Sequence, residues 1–438
     1  MELYFISHST IYPDANTSLI HSPEYVVDAY ISCIWTKRFC AYNDFQVQLP
    51  ATKQNMENIQ MYDLVYRSTD RLEYTPTSQS DYGFPPLKTV MMIEKIEIED
   101  NDDKHIMTIS GRGFEAWFAR LITWNKATLQ GKLKSVINTL LMQNSIINAE
   151  TQLEAGNYWW YVNQMCQASG DYTDYIPRQC RNYYVEVCYD DTDPLAYNDD
   201  IVCDTVSDYL GDTLTQILKP LGYDWYFYFK PAKVIHSGGP EGDWTEFGWD
   251  VELHIRKPNR RADVSSGTYS ILFSKDNGML LSSKYTQDST QSFNCGLILG
   301  EGTGADQIRV AYPQASSLAS LDNQPKFYAR HESIVDNSSF TADTIVLVDQ
   351  YKRLLIENTD YQAVKNNAQS MEVEINAMNT MYKYGNDSVT GQYDVGTIVG
   401  FKTETGIMAT ARIVEMIESE DGDGTKLTPT FDEWEFAS

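Results

Sequence analysis

Strict two-residue alternation is the feature that most limits how this chain can fold. In Asp44–Pro50, DFQVQLP, the apolar side chains of Phe45, Val47 and Leu49 take every second position, with polar groups between them. Successive side chains of a β-strand point to opposite faces, so such a segment buries one face and leaves the other wet. The pattern recurs. Ile93, Ile96 and Ile98 are broken by Glu94, Lys95, Glu97 and Glu99; Met371, Val373 and Ile375 alternate with Glu372, Glu374 and Asn376. Further strands are read in AYISCIWTKRF, MYDLVYRSTD, KHIMTISGRG, DWYFYF, DVELHIRKP, TYSILFS, LLSSKYTQD, NCGLILGE and IRVAYP, and in a closing meander after Asp394 whose DGDG is a strong hairpin turn.

Helical spacing interrupts the strands at four places. Phe114, Trp117, Phe118 and Leu121 predict a short helix plugging the sheet before it, and the strands from about Val26 to Leu121 then suggest a small β-barrel. Leu133, Val136, Ile137, Leu140 and Leu141 predict a helix over Thr128–Asn148. Val206, Leu210, Leu214, Ile217 and Leu218 form an apolar stripe, with Thr205 and Asp208 as a capping box and Pro220 and Gly222 as the stop. The fourth helix runs over Thr341–Asn358, with Leu347, Tyr351, Leu354 and Leu355 aligned. The fold class read from this order is α+β and strand-dominated, with several domains, short helices and a helical or irregular insertion.

With 438 residues, 42% hydrophobic and 22% charged, the chain is of a globular class. A net charge of −27 argues against binding the phosphate backbone of nucleic acids and against docking on anionic membranes, yet suits a wall along which DNA passes. The start MELYFISHST has no basic segment and no signal-like apolar core, and no run reaches the ~18–20 apolar residues of a membrane span. The expectation is no stable membrane insertion. Seven scattered cysteines without a CxxC pair read mostly as reduced thiols of a cytoplasmically made protein, with a Cys180–Cys188 disulfide left open.

The motif most suggestive of chemistry is GLILGEGTGADQIRV, with Gly300, Gly302 and Gly304 at alternate positions. A phosphate-binding loop leads into a helix whose amides face the anion. Here Ile308, Val310 and Pro313 predict a strand, and no Lys-Ser or Lys-Thr pair follows, so the glycines are expected to form a structural turn. Asp421 and Asp423 lack the spacing of an EF-hand. His8, His21, His105, His236, His254 and His331 never stand three or four apart, and neither HExxH nor GxSxG occurs. No catalytic, cofactor-binding or metal-binding residue is expected, and no cofactor. The run Tyr158, Trp159, Trp160 and Tyr161 is read three ways: as core, as a subunit-interface anchor, or as a glycan-stacking surface.

Taken together, the layout resembles the siphophage tail proteins of the ReqiPepy type, a family of tail-hub or tail-associated proteins. CIWTKRFCAYNDFQVQLP resembles the family's opening Trp, basic pair and strand, with Asn43 and Asp44 where a glycine is common. MMIEKIEIEDNDDKHIMTISGRGFEAWFARLI is similar to its strand pair ending in ISGR and a short helix. LGEGTGADQIRV resembles its GxGxGxxR turn, with Arg309 one place late, and YDVGTIVGFKTETGIMATARIVEMIESEDGDGTKLTPTF resembles its closing domain, with Thr397 replacing an Asp.

The resemblance implies contractile-phage baseplate-hub-like architecture. Each chain of a homotrimer would supply two tube-type β-barrels to a pseudo-sixfold ring that continues the tail tube. Its partners would be the distal tail protein, the tail tube and tape-measure proteins, and tip or fibre proteins. DNA would pass through the lumen without specific binding, in a virion tail assembled in the host bacterial cytoplasm. The domain expectation is a tube-type barrel over 1–122, a helix plus Tyr-rich insertion over 123–203, a central α+β domain with the Gly-rich hairpin over 204–345, and a helix and β-meander closing a second barrel over 346–438. Residues 230–345 alone are the alternative for that second barrel. The rival functions are a cell-wall-degrading tail lysin, for which a chain ending in the hub-like portion leaves no room, and a carbohydrate-binding receptor adhesin using the Tyr/Trp insertion.

Overall fold

A computed structural model describes residues 1–8, 20–21, 25–71, 86–101, 104–123, 127–144, 185–190, 196–205, 209–239, 242–288, 295–312, 330–338, 352, 355, 369–378, 381–385 and 391–437. The chain divides into two units. The first holds Met1–Ile201, Thr205–Lys257 and Ile417–Leu427; the second holds Val202–Asp204, Pro258–Met416 and Thr428–Ser438. The strand-dominated class expected from the alternation is observed, with several sheets and few short helices.

In the first unit the strands are β1 (Leu3–Ile6), β2 (Tyr25–Val27), β3 (Ser32–Arg38), β4 (Asp44–Pro50), β5 (Leu64–Arg67), β6 (Met91–Asn101) and β7 (Lys104–Gly113). They lie in the order β3-β4-β7-β6-β5-β1-β2, and every pairing is antiparallel. Register follows the alternation. Trp35 lies opposite Phe45 and Val47 opposite Ile109, and these side chains share one core with Leu3, Phe5, Leu49, Ile93 and Met107. Gln46 and Gln48 fall on the other face, opposite Ser110 and Thr108. Ile98 departs from the pattern. It is 50% exposed. A register shift between Ile93 and Lys95 kinks β6, and its far end runs beyond the core.

This unit also holds β8 (Glu186–Tyr189), β9 (Asp224–Gly239) and β10 (Gly242–Arg256). β9 and β10 form a long antiparallel hairpin, and β8 joins β10 in parallel. The helix predicted over Thr128–Asn148 spans only Leu133–Gln143, and Ala127–Lys132 before it is a strand. Gly131, at φ +149°, takes a backbone conformation outside the helical range near the end of that strand, and the helix begins two residues later at Leu133. The predicted stripe at Leu210, Leu214, Ile217 and Leu218 is buried. The capping box does not form as expected, because the helix starts at Leu210 with Tyr209 as its cap, while Thr205 ends a strand. Val206 and Asp208 lie outside the described residues.

The second unit holds β11 (Leu272–Ser274), β12 (Leu280–Gln287), β13 (Cys295–Leu299), β14 (Arg309–Tyr312), β15 (Glu332–Asp336), β16 (Gln369–Ile375) and β17 (Ile398–Lys402). β12 pairs with β16, β13 lies between β14 and β15, and β11 pairs in parallel with β17. Phe273 packs at 5.6 Å from Tyr393 and 5.4 Å from Phe401, centring an aromatic cluster that also takes in Phe431 and Trp434. Of the fourth predicted helix, Leu355 is helical and fully buried, whereas Leu347, Tyr351 and Leu354 lie outside the described residues.

The short helix after β7 is a 3-10 helix, Phe114–Arg120. Three residues per turn bring positions 115, 118 and 121 to one side, so Glu115 turns inward with Phe118 and Leu121. Phe118 packs on Phe227 at 5.0 Å and on Trp225 at 5.8 Å, so this helix lies against β9. Asn43 Nδ2 donates to Glu115 Oε1 at 3.2 Å. Burial, reinforced by the Asp224 charge, pushes the Glu115 carboxyl up to about 8. The folded chain then holds a proton that the unfolded chain releases above the ordinary value of 4.5. The contribution of Glu115 to stability therefore falls as pH rises from about 4.5 to about 8 and levels off above. Glu115→Gln should abolish this decline, leaving the variant more stable than the parent at pH 8.5 by on the order of a few kcal/mol in urea unfolding. Parallel pH profiles for the two proteins would contradict the assignment.

Candidate functional site

The glycine motif forms the connection from β13 to β14. Gly300 donates its N–H to Ile308 O at 2.8 Å, and Ile308 returns one to Glu301 O at 2.8 Å. Within that bracket Gly304–Asp306 makes a 3-10 turn, and Arg309 Nη2 donates to Gly304 O at 3.1 Å. Gly302 sits at φ +101°, and a Cβ there would stand 2.7 Å from Asp306 O. Gly304 has φ +63° with open space around it. The N–H groups of Gly300 and Ile308 are turned onto the loop's own carbonyls, away from any outside ligand.

Tyr158, Trp159, Trp160 and Tyr161 lie outside the described residues, as does Cys180. Among the described residues, Cys33, Cys40, Cys188, Cys203 and Cys295 are not joined in disulfides. At the closing hairpin, Asp423 donates its N–H to Asp421 Oδ1 at 2.9 Å, so this carboxylate braces its own turn.

The densest chemistry is on the outer face of the β8-β10-β9 sheet. Trp225, Phe227 and Phe229 of β9 and Val251, Leu253 and Ile255 of β10 are buried in the core. Period two then sends Tyr226, Tyr228 and Lys230, and Asp250, Glu252 and His254, to the opposite face. Direct register sets Cys188 of β8 beside His254 and Glu186 beside Glu252. Asp190, just past β8, points its Oδ1 at His254 Nδ1 from 2.6 Å and accepts the Tyr226 hydroxyl on Oδ2 at 3.0 Å. His254 Nε2 faces Glu252 Oε2 at 3.1 Å, and Lys230 Nζ donates to Glu252 Oε1 at 2.7 Å. The His254 ring lies between Tyr226 and Tyr228, at 5.3 and 5.0 Å.

Partial burial opposes charge on His254, but Asp190 and Glu252 outweigh it and raise the ring to about 9. Burial also disfavours the Glu252 carboxylate, yet His254 and Lys230 hold it below its ordinary range. Burial, with Glu252, Glu186 and Asp190 nearby, pushes the Cys188 thiol up to about 12. The face thus holds an imidazolium between two carboxylates, with a thiol alongside, and among the described residues Cys188, Glu252 and His254 form a group close enough together to hold a metal. Helical His spacing is the wrong ruler for a strand. The signal was ELH in one strand and CYD in another, each placing two donors on one face.

A second charged group is buried in the first unit. Arg67, at the end of β5, donates from Nη2 to Asp70 Oδ1 at 2.9 Å, from Nε to Asp70 Oδ2 at 3.0 Å and from Nη1 to Glu418 Oε2 at 2.9 Å. Its guanidinium lies 4.7 Å over the Trp35 ring. Lys37 approaches Asp70 and Glu418 at 3.7 and 3.6 Å. Although burial disfavours its charge, Asp70 is held below the ordinary carboxylate range by Arg67 and Lys37.

The model of the siphovirus ReqiPepy6 Gp37-like proteins matches residues 21–431, and the chain belongs to that family of bacteriophage tail proteins. No curated protein matches the chain. Among solved structures, it is similar to the tail protein of Neisseria meningitidis MC58, at 10% identity and a TM-score of 0.49 over 99% of this chain and 96% of that one. The 43 kDa tail protein of prophage MuSo2 from Shewanella oneidensis is similar at 9% identity and 0.45, over 99% and 98%. Prophage tail protein gp18 from Listeria monocytogenes EGD-e is similar at 8% identity and 0.47, over 98% and 94%. Among the described residues, no helix is long and apolar enough to cross a membrane.

The two glycines of the hairpin differ in a measurable way. Gly302→Ala meets both a backbone region barred to side chains and a carbonyl in the way, and should lower stability by roughly 1–3 kcal/mol. Gly304→Asn keeps a left-handed conformation that Asn tolerates and should cost under about 1 kcal/mol. Equal thermal unfolding midpoints for the two variants would contradict this geometry.

Proposed function

On the premise that the chain is a tail protein of the ReqiPepy6 Gp37-like family, we propose that it is the structural hub of a phage tail. Three copies form a ring of pseudo-sixfold symmetry that continues the tail tube. The ring joins the tube, the distal tail protein and the tape-measure protein on one side to tip or fibre proteins on the other. DNA passes through its lumen into the host. The single observation that carries this reading is the family match over 21–431, nearly the whole chain.

The chain's own physics supports the same role. Sheets with one apolar face and one polar face, as in β3 to β7, suit a tube wall whose core is sealed and whose lining is wet. A net charge of −27 suits a conduit that repels DNA phosphates and lets them slide. Reduced cysteines at Cys33, Cys40, Cys188, Cys203 and Cys295, not joined in disulfides, fit assembly in the host bacterial cytoplasm, before release in the virion tail. In this reading 1–122 is the first tube-type barrel, 123–203 the inserted helix and Tyr-rich segment, 204–345 the central domain with the glycine hairpin, and 346–438 the part that closes a second barrel. A heterologous contact whose rotation closes after three copies builds the ring.

Sedimentation equilibrium of the purified chain, alone and with the distal tail protein, tests the proposal. A species of three chain masses is expected. A chain that stays monomeric under both conditions would overturn it.

A further inference from the structure

The outer face of the β8-β10-β9 sheet brings together three kinds of metal donor from two strands. One carboxylate oxygen of Glu252, one ring nitrogen of His254 and the thiol sulfur of Cys188 all lie within 4.8 Å of one another. A tetrahedral zinc site with bonds of ~2.0–2.3 Å sets its donors roughly 3.3–3.8 Å apart, so closure asks for side-chain rotation and leaves the strands in place. We propose that Cys188, Glu252 and His254 bind one divalent ion of the zinc class, stapling β8 to β10.

Thiolate, imidazole and carboxylate together match the borderline character of zinc and its neighbours, and do not match calcium or magnesium. The supporting groups stand where such a site needs them. Asp190 Oδ1 lies 2.6 Å from His254 Nδ1, and the Tyr226 hydroxyl holds the same carboxylate through Oδ2, so the ring is oriented with Nε2 turned towards Glu252. A carboxylate behind a ligating histidine does this in many metal centres. Lys230 occupies Glu252 Oε1 at 2.7 Å, which leaves Oε2 to face inward. Glu252 is 5% exposed, which limits competition from water.

The charges balance. As the dication enters, the Cys188 thiol proton and the His254 Nε2 proton leave to solvent, so the net charge of the cluster does not change. Three protein donors leave a fourth position to water. The pairing that the ion would lock is the parallel one between β8 and β10, four residue pairs long. β8 also lies within the Tyr-rich insertion of residues 123–203 in sequence, so the staple would tie that insertion to the hairpin scaffold.

Titration of the purified full-length chain with cobalt(II) chloride, a coloured stand-in for zinc, tests the site. One cobalt per chain is expected, with thiolate-to-cobalt charge-transfer absorption that zinc chloride removes. Cys188→Ser should abolish that absorption, and His254→Gln should weaken binding by more than ~100-fold. Asp190→Asn, which acts through His254, should weaken it by ~10–100-fold and keep the absorption. A second measurement needs no variant. Zinc should slow alkylation of Cys188 in the unmodified chain at least about tenfold, read by peptide mass spectrometry, since a metal-bound thiolate is withdrawn from attack. Absence of cobalt uptake, charge-transfer absorption that survives in Cys188→Ser, or Cys188 alkylation indifferent to zinc would each overturn the proposal and leave a cluster of ion pairs only.

Discussion

A guanidinium sealed inside the first unit dictates much of its arrangement. The Arg67 side chain is 4% exposed and that of Asp70 is 0%. An arginine does not shed its proton at any ordinary pH, so burial obliges the chain to bring counter-charges to it. Asp70 does so from the next turn, and Glu418 from 351 residues along the sequence. Removing either partner would leave a stranded charge, a loss of about 3–5 kcal/mol in comparable buried pairs. Trp35, the aromatic of β3, lies with its ring 4.7 Å from the guanidinium and belongs to the apolar core. The late segment Ile417–Leu427 therefore belongs to the first unit for an electrostatic reason as much as a packing one.

The same economy of faces governs the long hairpin. One face of β9 and β10 supplies Trp225, Phe227, Phe229, Val251, Leu253 and Ile255 to the core, and the 3-10 helix packs its aromatics there. The other face gathers charge, with His254 held between Asp190 and Glu252. Strands of period two deliver a sealed apolar face and a polar face from one sequence pattern. In the glycine hairpin the N–H groups of Gly300 and Ile308, and in the closing DGDG turn that of Asp423, are bonded within the turn.

Strand identity was legible wherever alternation was clean, as in Phe45, Val47 and Leu49. It was less so in β6, where one bulge after Ile93 shifts the period so that Ile96 and Ile98 fall opposite Ile109 and Met107, and Ile98, towards the exposed far end of the strand, stays half in solvent. The fate of Glu115 was hidden, since 3-10 and α-helical periods are nearly indistinguishable over seven residues yet place different side chains inward. Gly131 was a visible break that helical spacing after it overrode. The donor cluster was beyond local reading for a different reason. Cys188 meets His254 only through a parallel pairing, and parallel partners are set by tertiary connection rather than by neighbouring sequence. Family resemblance was legible from the order of motifs, each weak alone.

The central claim is that this chain forms the hub ring of a phage tail. Cryo-electron microscopy of the particles that carry it tests this most directly. The account predicts three copies in a closed ring at the distal end of the tail tube, with a continuous lumen. Tails in which the chain is absent from that position, or is present only in peripheral fibres, would contradict it.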